Sequence, residues 1–114
     1  MIDDETDHDQ TDHAIFEAMI LDRKIRALAD PVRRRLLELL LPGSATAGDL
    51  AASVAAEFGI STSRGSQHLQ VLARAELVSV TADGPLRNYR LVEGALNEVS
   101  RWLRLSSLER GADR

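Results

Sequence analysis

The stretch that decides the fold reads STSRGSQHLQVLARA and occupies residues 61–75. Ser61 is a favourable N-cap, because its hydroxyl can accept a hydrogen bond from a free amide of a first helical turn. Leu69, Leu72 and Ala75 then recur on one side, as expected of a helix that packs on a core. The other side is polar at helical spacing and consists of Ser63, Gln67, Gln70 and Arg74. The stretch therefore predicts an amphipathic helix with a continuous polar stripe.

Another helix precedes this one at a very short distance. Thr46 and Asp49 have the spacing of a capping box. The apolar positions that follow are Leu50, Val54 and Phe58, and Gly59 is a typical helix end. Only Ile60 separates that end from the next cap. Two short helices joined by so tight a turn are typical of a helix-turn-helix.

The flanking segments complete the expected architecture. A first helix carries the stripe Ala14, Ala18, Leu21, Ile25 and Leu28. A second starts at Asp30-Pro31 and ends near Leu41, with Val32, Leu36, Leu39 and Leu40 inward and Arg33, Arg34 and Arg35 mainly outside. Residues 77–82 and 87–91 form a hairpin around Asp83-Gly84-Pro85, and a last helix carries Leu96, Val99 and Leu103. The predicted fold is mostly α with a short β-hairpin wing, a winged helix-turn-helix in which four helices precede the wing and one follows it.

Composition and charge define the domain limits. The chain has 114 residues, of which 44% are apolar and 28% charged, so we expect one domain. The net charge of the chain is −4, but residues 1–12 hold six acidic residues and no Lys or Arg. Residues 13–114 therefore hold 12 acidic and 14 basic residues, a net charge of +2. We expect residues 1–12 to be a disordered acidic arm, residues 13–108 the DNA-binding and dimerisation domain, and residues 109–114 a frayed end. No apolar run is long enough for a membrane span and the N-terminus is acidic, so a cytoplasmic protein is expected.

The polar stripe has the chemistry of a DNA-reading surface. Gln can form two hydrogen bonds with adenine and Arg two with guanine, and Ser and Thr bond phosphates or either base edge. Basic side chains near the helix start and in the wing would lie beside the DNA backbone. The candidate DNA-binding residues are Ser61, Thr62, Ser63, Arg64, Ser66, Gln67, Gln70, Arg74 and Arg87. The simpler alternative is a polar face that only keeps a surface helix hydrated.

Four stretches resemble the ArsR/SmtB family of transcription regulators. They are RALADPVRRRLLELL at residues 26–40, SQHLQVL at 66–72, AELV at 75–78 and RNYRL at 87–91. They occur in the family's order over roughly residues 14–105. The resemblance implies a homodimer joined through its first and last helices, which binds a symmetric operator in double-stranded DNA and represses transcription until an effector releases it.

The first helix also has more apolar surface than one core needs, which independently indicates a partner. The candidate dimer residues are Ile15, Phe16, Met19, Ile20, Trp102, Leu105 and Leu108. The alternative is that these side chains fill the core of the monomer. In a symmetric dimer, the two reading helices would address half-sites about one turn of DNA apart.

Two positions depart from the family pattern. Gly65 stands where relatives usually have an aliphatic residue, and a glycine inside a helix costs about 1 kcal/mol relative to alanine. We therefore expect a reading helix that is loose until DNA orders it. Glu76 replaces the usual glycine before the wing, so it either adopts a left-handed backbone conformation or the turn differs.

The sequence does not identify an effector. The family's cysteine site on the third helix is absent, because residues 47–51 read AGDLA and the chain has no cysteine. The last helix offers Glu93 and Glu98 without a histidine, and carboxylates alone hold transition metals weakly. The arm contains ligand types that suit a zinc or nickel sensor, namely Asp7, His8, Asp9, Asp12 and His13, but a hydrated acidic arm explains them without further assumption. No metal site or cofactor is predicted, and a packed ring is expected for His68.

Two other functional classes fit less well. An enzyme would need a nucleophile and a base at a productive spacing, and three scattered histidines without a cysteine do not provide one. A winged helix can instead bind another protein or act as a co-regulator, since fold does not dictate function. Such a module would carry an apolar or acidic reading face, whereas this one is Ser, Thr, Gln and Arg. The acidic arm also suggests a hypothesis, competition with DNA for the basic surface.

Overall fold

The computed structural model describes the backbone of residues 2–112 and the side chains of residues 12–107. Within these limits the elements are α1 (Ile2–Leu28), α2 (Pro31–Leu39), β1 (Ala45–Thr46), α3 (Ala47–Phe58), α4 (Thr62–Arg74), β2 (Val78–Asp83), β3 (Leu86–Leu91) and α5 (Asn97–Ala112). Four helices precede a hairpin and one follows it, as the sequence predicts. None of the helices in the described part of the chain is both long and apolar enough to cross a lipid bilayer.

The helix boundaries follow from local capping chemistry. The Asp30 carboxylate accepts a hydrogen bond from the Val32 amide over 2.8 Å, ahead of Pro31. Thr46 starts α3 and Ser61 starts α4 in the same way, each hydroxyl accepting a bond from the amide three residues later over 3.1 Å. Gly59 ends α3 with a left-handed φ of 67°, a conformation that glycine adopts without strain. The predicted starts of α2, α3 and α4 are confirmed.

The strands form a three-stranded antiparallel sheet in the order β1-β3-β2. In β3, Tyr89 faces Val80 of β2 on one side and Ala45 of β1 on the other. The hairpin was predicted, but β1 was not. Two residues are too few to show the alternation that marks a strand in a sequence. By pairing with the hairpin, β1 ties the wing to the start of α3.

The core lies where α2, α3 and α4 meet the base of the sheet. Its fully buried large side chains are Leu36, Leu40, Val54, Leu69, Leu72 and Leu77. Two predicted inward positions are less buried than expected, since Leu39 is half-buried and Phe58 is 36% exposed. Leu36 of α2, Leu40 at its C-cap, and Leu69 and Leu72 of α4 confirm the apolar faces predicted for those helices.

The buried face of α1 differs from the prediction. Ala14 and Ala18 are exposed and Ile25 is 39% exposed, whereas Lys24 is only 4% exposed. The Lys24 ammonium donates hydrogen bonds to the Ala95 carbonyl oxygen over 2.6 Å and to Oε2 of Glu98 over 3.0 Å. A lysine is buried only when it is paired, and both partners lie far away in sequence near α5. Apolar periodicity cannot detect such a partner.

The ends of the outer helices also differ in extent. Residues 1–12 were predicted to have no structure, but α1 starts at Ile2. Acidic residues occupy positions 3–5, where the positive end of a helix dipole favours them. Nothing is described for the side chains of residues 1–11. At the other end, α5 reaches Ala112, and residues 113–114 lie outside the described part of the chain.

Candidate nucleic-acid interface

The polar stripe of α4 is presented to solvent. Its four members, Ser63, Gln67, Gln70 and Arg74, are exposed, whereas Leu69 and Leu72 on the other side are fully buried. With a rise of about 1.5 Å per residue, the stripe extends over roughly 16 Å. Thr62 beside it is exposed and Ser66 is half-buried. The predicted reading face is thus one free surface on a helix fixed by the core.

Gly65 allows α4 to approach α3 closely. A Cβ atom at this position would lie 3.1 Å from Cγ2 of Val54, 3.2 Å from the Ala51 Cα and 3.2 Å from its carbonyl oxygen. The latter two are backbone atoms, which cannot move aside as the end of a flexible side chain can. The glycine was interpreted as a source of looseness in the reading helix. The structure gives it a packing role instead, which sets the distance between the two helices of the helix-turn-helix.

His68 lies on the inner flank of α4, as expected for a packed ring, and is 8% exposed. Its Nδ1 is 3.2 Å from a guanidinium nitrogen of Arg33. Burial lowers the pKa of His68 below its ordinary value; the nearby Asp30 carboxylate opposes that shift, whereas Arg33 and Arg64 add to it. The ring links the reading helix to Arg33 of α2.

Three consecutive arginines of α2 have structural partners, a role that the sequence did not reveal. Arg33 donates from Nε to the Ala27 carbonyl oxygen over 2.7 Å and from Nη2 to the Arg26 carbonyl oxygen over 3.1 Å. Arg34 donates to the Leu28 carbonyl oxygen over 2.7 Å. Arg35 pairs with Glu57 of α3 over 2.9 Å. Arg33 and Arg34 therefore satisfy the last carbonyls of α1.

The remaining basic candidates lie on either side of the stripe. Arg64 is exposed in the first turn of α4, and Arg87 is exposed near the tip of the wing, where it faces Ala82 across the hairpin. Glu76 joins α4 to the wing with a φ of 60°. The left-handed backbone, one of the two alternatives predicted there, is thus the one observed.

A separate apolar surface runs along α1 and α5. Ile15, Phe16 and Met19 of α1 are 54–59% exposed, Trp102 of α5 is 49% exposed and Leu105 is 54% exposed. Ile20 is half-buried, and the side chain of Leu108 lies outside those described. The five exposed side chains do not fill the core of their own chain. Large apolar groups that share a surface mark an interaction site.

No metal-binding cluster of three or more His, Cys, Asp or Glu residues occurs among the described residues. His13 lies 3.0 Å from the carboxylate of Glu17, and both side chains are largely exposed. Asp7, His8 and Asp9, which the sequence offered as arm ligands, lie outside the described side chains. On α5, Glu98 is bound to Lys24.

This combination defines the class of the protein: a winged helix-turn-helix whose second helix presents a polar face. Residues 28–81 match the family model described as a helix-turn-helix domain. The transcriptional repressor SdpR of Bacillus subtilis is 35% identical over 83 residues, which are 73% of this chain and 88% of SdpR.

Solved structures agree with this class. A crystal structure of an ArsR family transcriptional regulator matches with a TM-score of 0.69 and 25% identity over 85% of this chain and 95% of that one. A homodimeric winged helix-turn-helix DNA-binding domain from Mycobacterium bovis has the same fold, with a TM-score of 0.57 and 23% identity over 90% of this chain and 86% of that one. The chain belongs to the ArsR family and is a transcriptional regulator with a helix-turn-helix DNA-binding domain.

Proposed function

We propose that this regulator is a homodimeric repressor that inserts α4 of each protomer into the major groove of a two-fold symmetric operator. The observation that carries the proposal is the exposed stripe of Ser63, Gln67, Gln70 and Arg74 on a helix held rigidly by Leu69 and Leu72. No acidic residue occurs in α4, so nothing on this helix repels phosphate.

Each side chain of the interface has a role that follows from its chemistry. Gln67 and Gln70 lie mid-helix and read base edges, adenine being their natural partner. Arg74 continues the stripe towards the C-terminal end of α4, where its guanidinium can bind guanine or a backbone phosphate. Arg64 and Arg87 bind the phosphate backbone on the two sides of the groove, and Ser61, Thr62, Ser63 and Ser66 add hydroxyl contacts at the start of the helix.

The second copy of the chain covers the apolar surface of α1 and α5. In a two-fold interface the same patch of both protomers takes part, so Phe16 and Trp102 become buried in each protomer. The domain of the same fold from M. bovis is a homodimer, which supports a dimer for this chain. A symmetric pair of reading helices then requires half-sites about one helical turn apart, roughly 34–36 Å.

The repressor name of SdpR supports repression. The given sequence contains no cysteine, so we propose that any effector acts without cysteine thiolates.

Selection of bound fragments from the source genome, followed by affinity measurements against salt, tests the DNA-binding proposal. We expect log affinity to fall with log salt with a slope of about −0.9 per phosphate contacted. Gln67→Ala with Gln70→Ala should relax base preference, whereas Arg87→Ala should weaken all sequences alike. A slope near zero, or an unchanged base preference in the glutamine variant, would contradict the assigned reading face.

The dimer is tested by sedimentation of the full chain without DNA. Phe16→Lys introduces a charge into the proposed interface and should produce monomers. Val80→Lys is the matched control, because Val80 is 42% exposed on the wing, away from α1 and α5. Monomeric wild-type protein at micromolar concentration, or equal dissociation by both variants, would refute the interface.

A further inference from the structure

A basic groove lies between α1 and α4, at the C-terminal end of the reading stripe. Four arginines line it, Arg23 and Arg26 from α1, Arg33 from α2 and Arg74 from α4, around a volume of about 490 Å³. Its remaining lining is apolar and includes Ala27, Val71 and Ala75. Among the side chains of residues 12–107, four guanidinium groups and no carboxylate line the groove.

The arginines differ in how far their hydrogen-bonding capacity is already used. Arg33 is bound to two carbonyl oxygens and lies beside His68. Arg26 is paired with Asp22 over 2.9 Å. Arg23 makes one long bond of 3.4 Å, to the carbonyl oxygen of Arg74. Within the described part of the chain, the Arg74 guanidinium has no hydrogen bond or ion pair. Arg74 thus has all its donors unused among the described residues, and Arg23 uses only one of its own.

Two guanidinium groups with unused donors that line one concavity form a suitable binding site for an anion. Like charges held together are stabilised by an opposite charge, and the planar guanidinium fork matches the oxygens of phosphate in paired hydrogen bonds. The Arg23 guanidinium contacts the backbone carbonyl of Arg74, and both arginines line the same groove, so one ligand can reach both. Arg33 adds a fixed positive charge on the third side.

We infer that this groove binds a phosphate group. That group belongs either to the DNA strand beyond the end of the reading stripe or to a free phosphate compound, and the recognising chemistry is the same. The groove is built from α1, which carries the proposed dimer surface, and from α4, which carries the reading stripe. A phosphate group bound there would therefore contact both helices and couple DNA reading to dimer formation.

The first test uses the full chain without DNA and pyrophosphate as the probe, compared with sodium chloride at equal ionic strength. At a concentration well above its Kd, pyrophosphate should raise the Tm of the wild type by roughly 5 °C or more. Arg23→Ala with Arg74→Ala should abolish that rise. Arg90→Ala with Arg104→Ala is the matched control and should keep it, because both residues are exposed and neither lines the groove.

A second measurement on the wild type does not depend on how the variants fold. Backbone amide resonances of residues 71–75 and of Arg23 should shift on titration with pyrophosphate, whereas those of the wing should not. No shift at these amides, together with a Tm that responds to pyrophosphate only as it does to chloride, would overturn free phosphate as the ligand.

The DNA source is distinguished by the salt dependence of operator binding, an arm that rests on the proposed function. If DNA phosphates fill the groove, the Arg23 and Arg74 double variant loses about 2 units of salt slope, roughly 0.9 for each contact. An unchanged slope together with no response to pyrophosphate overturns the inference. If the wild type binds no DNA at all, the proposed function fails, but the pyrophosphate titration still tests the groove.

Discussion

The buried ammonium of Lys24 makes the contact between α1 and α5 asymmetric, and this predicts unequal effects for its two partners. Lys24 is 5% exposed at its side chain, whereas the Glu98 side chain is 51% exposed. Replacing Lys24 with Met removes the buried charge and leaves Glu98 free to be hydrated. Replacing Glu98 with Ala leaves the ammonium buried with only the Ala95 carbonyl oxygen as a partner.

The magnitudes follow from that difference. A hydrogen bond to a charged group contributes about 1.5–3 kcal/mol, and the exposure of Glu98 places its loss near the lower end. Replacing a buried charge by an apolar side chain of similar length is often close to neutral, so Lys24→Met should cost about 1 kcal/mol or less. Glu98→Ala should therefore destabilise the protein by roughly 1 kcal/mol more than Lys24→Met, because only the former strands a charge.

Urea denaturation at about pH 7 measures this difference. The control is Glu93→Ala, from an exposed glutamate with no ion pair to any other described residue. The hydrogen bond from Lys24 holds the pKa of Glu98 below its ordinary value of 4.5. Its contribution is therefore complete above that value and is lost as pH falls through the folded-state pKa, where wild type and Glu98→Ala should converge. A Lys24→Met variant that is clearly less stable than Glu98→Ala would refute the reasoning.

Three further predictions concern the reading helix and its junctions. Gly65→Ala should lower the free energy of unfolding by about 1–3 kcal/mol and weaken operator binding. Gly48→Ala is the control and should be neutral or stabilising, because a Cβ there meets nothing within 4 Å. Equal effects of the two variants in denaturation would contradict the packing role of Gly65. Glu76→Gly should stabilise by about 1 kcal/mol, since φ is 60° there, and an unchanged denaturation midpoint would count against strain at this turn. For His68, burial lowers the folded-state pKa below 6.5, so the unfolded chain takes up the proton first and stability falls as pH drops below that value. His68→Gln should reduce this loss between about pH 7 and about pH 5.5, and an identical pH profile of the two proteins would exclude His68 as its source.

Local chemistry explains why so much of the DNA-binding half was predictable. The starts of α3 and α4 depend on one hydroxyl each, and the end of α3 depends on Gly59. These signals act within three or four residues, so they are visible in the sequence. The polar stripe was predictable for the same reason, because helical spacing alone places Gln67 and Gln70 opposite Leu69 and Leu72.

The features that were missed depend on contacts between distant segments. Burial of Lys24 requires Glu98 and the Ala95 carbonyl, more than 70 residues later. The role of Gly65 appears only once the backbone of Ala51 is seen to face it. Propensity describes what a residue costs in its own helix and says nothing of a second helix that passes close by. The sequence alone therefore predicts flexibility at Gly65, whereas in the structure its missing side chain allows close packing.

We expect each basic residue of this protein to contribute to DNA binding according to whether its side chain is already hydrogen-bonded within the chain. The run Arg33, Arg34 and Arg35 is the most concentrated positive charge in the sequence, yet its guanidinium groups are bound to carbonyl oxygens of α1 and to Glu57. Arg23 and Arg74 lie 51 residues apart in the sequence, and the fold brings them to one groove with donors to spare. A count of charges along the chain would assign phosphate contacts to the first group, whereas the hydrogen bonds leave the second group more donors for such contacts. The same distinction predicts that the main effect of Arg34→Ala is a lower free energy of unfolding. The main effect of Arg74→Ala should instead be a smaller salt dependence of DNA binding. Denaturation and salt titration of both variants test it, and a larger loss of salt slope in Arg34→Ala would show that occupied arginines remain available to DNA.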